Sequence, residues 1–274
     1  MKVAYLGPAG TFSEEAAATA PRAAGAELVP QATIADAIEA VGDGRADEAA
    51  VPIENSIEGS VAQTLDTLAD RTDVTIVGEQ VLAVSHLLVA AGPLDEADLR
   101  RVVSHPQPLG QCAHWLRAHV PGAELVAASS TADAVREIAA APGQPWAAIG
   151  TRRAAELYGG TILAEGIEDV PGNETRFVWI GHRDAPVEAP TKTSLVFWGS
   201  GDDTPGWLAD CLSEFARRGV NLTKIESRPL RGQLGHYRFF VDLALGLDAD
   251  DARAAVDGLR THCEHVRVLG SYPA

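Results

Sequence analysis

Short apolar runs alternate with helix-forming stretches through most of the first 180 residues, and this alternation restricts the fold more than any single residue does. Lys2-Val3-Ala4-Tyr5-Leu6 reads as a strand. The turn Gly7-Pro8-Ala9-Gly10 follows, then Thr11-Phe12-Ser13-Glu14-Glu15, which has helix N-cap and first-turn chemistry. Ile34, Ala37, Ile38 and Val41 fall at helical spacing, and the apolar run 49–53 ends at Glu54. The pattern returns with strands at 74–77 and 83–89 and a helix at 110–118, then a strand at 125–127 and a helix at 131–140. A strand at 147–150 and a helix at 151–158 complete it. Such alternation predicts parallel sheet covered by helices, in an amount too large for one small sheet.

Residues 183–191 break the pattern. Asp184-Ala185-Pro186-Val187-Glu188-Ala189-Pro190 has two prolines and no periodicity, the chemistry of a linker. Beyond it the order is strand (193–198), helix (205–218), strand (221–227), strand (237–245), helix (250–262) and strand (266–269). This βαββαβ order predicts a ferredoxin-like unit. A chain of 274 residues is long enough for more than one domain.

Charge narrows the partners. Against 22 Lys and Arg stand 38 Asp and Glu, a net of −16, which repels nucleic acid and anionic membrane surfaces. Residues 1–191 hold 27 of the acidic and 12 of the basic side chains, so the excess lies there. An acidic ligand would meet opposing long-range steering and depend on local donors such as Arg176 and helix N-termini. The N-terminal apolar run is too short for a signal peptide and nothing approaches a membrane span, so a cytoplasmic protein is expected. Cys112, Cys211 and Cys263 are widely spaced, with no ligand pattern for a metal; reduced thiols are expected.

The sequence Asn173-Glu174-Thr175-Arg176-Phe177, entering the strand-like Val178-Trp179-Ile180, puts a hydroxyl, a guanidinium and a ring side by side. Strand alternation turns Thr175 and Phe177 to one face and Arg176 to the other. This triplet resembles the signature of the prephenate dehydratase family, and companion motifs follow in the family's order. Tyr5-Leu6-Gly7-Pro8-Ala9-Gly10-Thr11-Phe12-Ser13, Val51-Pro52-Ile53-Glu54-Asn55-Ser56, and Ser104-His105-Pro106-Gln107 with Gln111-Cys112 resemble the catalytic motifs. Glu226-Ser227-Arg228-Pro229 resembles the phenylalanine-binding motif of an ACT regulatory domain. The resemblance covers essentially the whole chain. It implies an α/β fold with a two-lobed, periplasmic-binding-protein-like catalytic domain at 1–183, lobe one being 1–78 plus 171–183 and lobe two 79–170. A linker at 184–191 and an ACT domain at 192–274 follow.

The reaction implied is loss of the ring carboxylate of prephenate as carbon dioxide and of its ring hydroxyl as water, giving phenylpyruvate for L-phenylalanine biosynthesis. Aromatisation supplies much of the driving force, so the protein must place a donor on the leaving oxygen, hold two carboxylates and exclude water. No cofactor and no metal is implied. The resemblance assigns the leaving-group donor to Thr175, a carboxylate fork to Arg176 and an apolar wall to Phe177. For Arg176 an ion pair with Glu174 or Glu54 stays open, and for Phe177 a core ring. Substrate binding is expected from Thr11, Ser13, Asn55, Ser56, Ser104, Gln111 and Asn173. Glu54 either touches substrate or organises the site, since a carboxylate beside a dianion is repulsive unless protonated or paired. His105 reads as a structural histidine, and Ser129, Ser130 and Thr131 as a helix cap.

For the effector L-phenylalanine the resemblance implies Gly206, Leu208, Asn221, Leu222, Glu226, Ser227, Arg228 and Pro229. The family's usual Gly-Ala-Leu is replaced here by Gly206-Trp207-Leu208, whose indole would fill part of the pocket or turn into a dimer contact. A homodimer or homotetramer is expected, since ACT domains pair edge to edge. An arogenate dehydratase and a non-catalytic metabolite sensor remain as alternatives. An enzyme that decarboxylates prephenate without dehydrating it has less need of Thr175.

Overall fold

The computed structural model describes residues 1–199, 201–230, 232 and 234–274. The chain opens with β1 (Lys2–Leu6), α1 (Phe12–Thr19), β2 (Glu27–Gln31), α2 (Ile34–Gly42), β3 (Glu48–Asn55), β4 (Gly59–Ser60), α3 (Ala62–Asp70) and β5 (Val74–Ala83). There follow β6 (Leu87–Ala90), β7 (Arg101–Ser104), α4 (Pro106–Gln111), α5 (Ala113–His119), β8 (Glu124–Ala127) and α6 (Thr131–Ala139). Then come β9 (Trp146–Gly150), α7 (Arg152–Tyr158), β10 (Thr161–Glu165) and β11 (Glu174–His182). The last group is β12 (Lys192–Trp198), α8 (Trp207–Ala216), β13 (Leu222–Pro229), β14 (Tyr237–Leu243), α9 (Asp250–Leu259) and β15 (His265–Tyr272). Two compact units divide these elements. One holds residues 1–37, 55–58 and 81–175, the other 38–54, 59–80 and 176–274.

In the first unit β1 pairs with β2 in parallel, and a five-stranded sheet has the order β10-β6-β9-β7-β8. Successive strand residues face opposite ways, so Leu87, Val89, Val103 and Ala148 pack with Val135 and Ile138 of α6. Leu88, Val102, Ala147 and Ile149 pack with Leu116 of α5 on the other face. Both faces are covered, which is why these strands read as continuous apolar runs. The expectation of parallel sheet needs one correction, because β6 runs antiparallel to both β9 and β10. Helical crossovers lie between β7 and β8, β8 and β9, and β9 and β10, whereas β6 leads to β7 through a stretch whose only helix is a three-residue turn. Nothing ties β6 to the common direction.

The expected helix at 110–118 is instead two helices that meet at Cys112, whose φ of −112° and ψ of 14° leave the helical region. The His114 and Trp115 N–H groups donate to the Asp169 carboxylate at 2.9 Å each, giving α5 its own N-terminal partner.

The second unit contains β3, β11 and β5 side by side in that order, with β4 on β3. Its other sheet has the order β13-β14-β12-β15 with every pairing antiparallel, the ferredoxin-like arrangement expected of βαββαβ. Leu195, Phe197, Val241 and Leu243 face α8 and α9 in an apolar core. The alternate residues, Ser194 and Asp242, face away with Tyr272 and hydrogen-bond there. On that side Arg228 pairs with Asp66, Arg238 with Asp70, and Thr75 donates to the Leu269 carbonyl. A Cβ at Gly270 would sit 2.3 Å from the Ile76 carbonyl oxygen, so the close approach of β15 to β5 requires glycine. Among the described residues no helix is long and apolar enough to cross a membrane.

Candidate active site

Asn55 ends β3 and is the centre of a polar cluster in the first unit. Its Oδ1 accepts from the Ile57 and Glu58 N–H groups at 3.0 Å each, closing the turn that follows the strand. Its amide NH2 donates to Asn173 Oδ1 (2.7 Å), Thr175 Oγ1 (2.9 Å) and the Glu174 carbonyl (3.2 Å). Ser56 Oγ accepts from the Glu174 N–H at 2.9 Å, and the Ser56 N–H donates to the Glu174 carbonyl at 2.9 Å. Backbone pairing thus fixes the start of β11 against the turn, and Asn55 sets the Thr175 hydroxyl within that frame. Because Thr175 Oγ1 accepts from Asn55, its own proton is left to donate.

Gln111 is held by a second chain of bonds. Its Nε2 donates to Glu58 Oε1 at 3.1 Å, and its Oε1 lies 2.8 Å from His86 Nε2. With an amide oxygen as acceptor, Nε2 of His86 carries the proton. His86 is buried, with its ring edge against Phe12, and burial holds its pKa below the ordinary imidazole value against the opposing pull of the Gln111 bond and Glu168. A cavity of about 610 Å³ lies beside Gln111, lined also by Glu58, Gln107, His114, Glu168 and Asp169. Thr175 is not among its lining residues. Sequence reading missed His86, Glu58 and Glu168; the one available signal was a lone histidine within the apolar run 83–89.

The other expected site residues take different places. Thr11 is the N-cap of α1, accepting from the Glu14 N–H and donating to the Leu6 and Pro8 carbonyls, and Ser13 is buried in the first turn. Ser104 is fully buried and donates to the Ile149 carbonyl at 2.8 Å. Substrate contact through its hydroxyl proton is corrected to a bond between neighbouring strands. His105 caps α4 and Ser130 caps α6.

In the second unit Phe177 is buried at 2% exposure, the core ring of its two readings. Arg176 also departs from its expected place as a substrate fork. Its guanidinium meets Glu54 (2.9 Å), Glu79 (3.0 Å) and Asp242 (2.8 Å), which occupy all three nitrogens. Although burial opposes its charge, Asp242, Tyr272 and Glu79 raise its pKa further. Glu54 is paired with cations: burial opposes its ionisation, but Lys224 and Arg176 together hold its pKa below the usual carboxylate value. Among the described residues no group of acidic, histidine or cysteine side chains forms a metal site.

The effector motif falls in two places within one chain. Gly206 and Leu208 line a cavity of about 400 Å³ with Trp207, Asp202, Tyr237 and Phe239. Glu226, Ser227, Arg228 and Pro229 lie along β13, with Asn221 just before it and Leu222 at its start. None of these six lines that cavity. Along β13 the even-numbered residues are half-buried and the odd-numbered exposed, so Ser227 and Pro229 face solvent. The Arg228 fork closes on Asp66 at 3.0 and 2.9 Å, and Glu226 accepts from Ser60. Trp207 fills the core, its indole N–H donating to the His262 carbonyl at 2.7 Å.

Comparison with known proteins gives concordant matches. The profile of the family described as prephenate dehydratase matches residues 3–185. A curated prephenate dehydratase of Mycolicibacterium vanbaalenii is 41% identical over 286 residues, spanning 99% of this chain and 90% of the relative. The crystal structure of a prephenate dehydratase from Arthrobacter aurescens in complex with L-Phe superposes with a TM-score of 0.91 at 37% identity, covering all of this chain and 90% of that one. GqqA, described as a novel type of quorum quenching acylase, superposes with a TM-score of 0.88 at 32% identity, covering all of this chain and 98% of its own.

Proposed function

The chain belongs to the prephenate dehydratase family, and on that premise we propose that the Asn55–Thr175 cluster is where prephenate loses its ring hydroxyl. In this reading the bond from the ring to its carboxylate breaks, carbon dioxide leaves, and the electron pair completes the aromatic ring. The hydroxyl departs from the opposite carbon and takes up one proton to become water, leaving phenylpyruvate. Thr175 supplies the hydrogen bond that strengthens as charge grows on the departing oxygen. The observation that carries the reading is the bond from Asn55 to Thr175 at 2.9 Å, in which the hydroxyl oxygen accepts and keeps its own proton to donate. Ser56, Asn173 and Gln111 orient the substrate as neutral donors in a frame held by Asn55, which suits a dianion in an acidic body. Thr11 and Ser13 contribute the backbone N–H groups of the α1 N-terminus.

In the same reading the βαββαβ region is an ACT regulatory domain that takes L-phenylalanine, the ligand found in the Arthrobacter relative. Gly206 and Leu208 are separated from Ser227 and Pro229 within one chain, so a second copy, paired along the edge strand β13, completes the effector site in a homodimer or homotetramer. Ile225, 51% exposed on that strand, supplies apolar area for the contact.

Purified protein is incubated with prephenate and phenylpyruvate is followed by its absorbance in base, with arogenate and an N-acyl homoserine lactone as parallel substrates. Product from prephenate is expected, and Thr175→Ala is expected to lower kcat by about 10²-fold or more. Absence of phenylpyruvate from the unaltered chain ends the dehydratase assignment, and near-normal turnover in the variant ends the role of Thr175. Cleavage of the lactone substrate alone would move the chain to the acylase activity of its other relative.

A further inference from the structure

The residues that precede Asn55 and follow Thr175 are both charged, and both turn toward the C-terminal sheet. Glu54 Oε1 meets Lys224 of β13 at 2.9 Å, while its other oxygen holds the Arg176 fork. Arg176 reaches Asp242 of β14 at 2.8 Å and Glu79 of β5 at 3.0 Å, and Glu79 is paired in turn with Lys192 of β12. The Lys224 ammonium also donates to Ser60 Oγ at 2.6 Å, and that hydroxyl donates to Glu226 Oε2 at 3.1 Å. Glu226 opens the motif assigned above to the effector. Lys224 is 8% exposed, Arg176 11% and Asp242 6%, against 37% for Glu54, so solvent reaches the network chiefly at Glu54. All of these side chains belong to the second unit.

We propose that Ser60 and Lys224 are positioning residues for Asn55 and Thr175, joined to them through Glu54 and Arg176, so that a ligand at the Glu226 motif changes the reaction through this ionic chain. The inference rests on the assignment of prephenate chemistry to Asn55 and Thr175 and of effector binding to β13, and adds the physical link between them. The link is adjacency along two strands. Asn55 and Thr175 each share a peptide bond with a member of the network, and a strand transmits a shift of one residue to the next because alternate side chains hang from one stiff backbone. Ligand contact with Glu226 competes for the Ser60 hydroxyl; Lys224 then loses one of its two partners, and its hold on Glu54 changes.

The test uses the full-length protein and three variants, Ser60→Ala, Lys224→Met and Lys224→Arg. L-phenylalanine binding is measured by calorimetry, inhibition by the prephenate assay, and backbone response by hydrogen exchange of the segments around 54–56 and 174–176. In the unaltered protein L-phenylalanine is expected to change exchange in both segments and to inhibit turnover. Ser60→Ala is expected to bind L-phenylalanine within about threefold of the parent, with half-maximal inhibition moved at least tenfold and the exchange response lost. Lys224→Met should additionally lower kcat with little change in KM, and Lys224→Arg should restore both. Should Ser60→Ala retain the parent's inhibition and exchange response, or should the parent's two segments fail to respond to L-phenylalanine, the coupling is refuted. Exchange is read without turnover, so an inactive parent would end the dehydratase reading while this link is still judged. Ser60→Ala removes one oxygen from a half-buried site, which keeps the test open if Lys224→Met does not fold.

Discussion

Thr175 and Arg176 are neighbours in the chain with separate duties, because a strand turns consecutive side chains to opposite faces. Thr175 joins the neutral donors around Asn55, and Arg176 turns to three carboxylates. Arg176→Met would leave Glu54, Glu79 and Asp242 facing one another without their shared cation, and breaking a buried ion pair in this way costs about 3–5 kcal/mol. A large fall in Tm is the expected outcome by thermal unfolding; a normal Tm with a tenfold higher KM would return Arg176 to a substrate role. His86 makes a pH prediction. Its folded pKa lies below the ordinary imidazole value, so its contribution is fully present above that value and is lost as pH falls through the lowered one. Urea midpoints measured between pH 7 and pH 5 are expected to fall less steeply for His86→Gln than for the parent; equal slopes would remove His86 from the acid response. The motif residues were legible because their types and order are local. The partner of each charge was not, since Glu54 and Arg176 are 122 positions apart.

The elements followed their periodicity where neighbours in sequence decide the outcome. The N-caps at Thr11, Ser130 and Thr151 begin α1, α6 and α7, each accepting a first-turn N–H. Periodicity failed at Cys112, because the Asp169 carboxylate that starts α5 comes from far along the chain. It failed also for the direction of β6, which depends on how a strand is entered and not on what it contains. In α8 the sequence left Trp207 between an effector pocket and a dimer contact, and in the fold its indole packs in the core against Phe197 and Phe239 while also lining the cavity beside Gly206 and Leu208. Trp207→Ala removes a buried indole at 8% exposure, and such truncations cost about 3–5 kcal/mol through lost burial and the cavity left behind. Denaturant unfolding checks this; a loss below about 1 kcal/mol would show that the site collapses to fill the space.

At the scale of the whole molecule, an acidic N-terminal region meets cations from the C-terminal sheet. Lys192 and Lys224 pair with Glu79 and Glu54, and Arg228 and Arg238 pair with Asp66 and Asp70 of α3. These contacts fall inside one compact unit that contains both α3 and the βαββαβ region. A chain ended at Thr191 would lose every one of those cations and Asp242 as well. It is expected to unfold at a lower temperature than the full chain and to lose at least tenfold in kcat, measured on the two side by side; equal values would show that the catalytic elements do not need the C-terminal sheet. By itself the amino-acid sequence determined the kinds and order of the elements, the βαββαβ region and the motif residues, because spacing, turn chemistry and caps act between near neighbours. Only the tertiary structure decided that Arg176 meets Asp242 and two glutamates, that Ser104 is spent on a carbonyl and that His86 orients Gln111. Charges and hydrogen-bonding groups take the partner that burial brings within about 3 Å, and that partner is set by packing between segments distant in the chain.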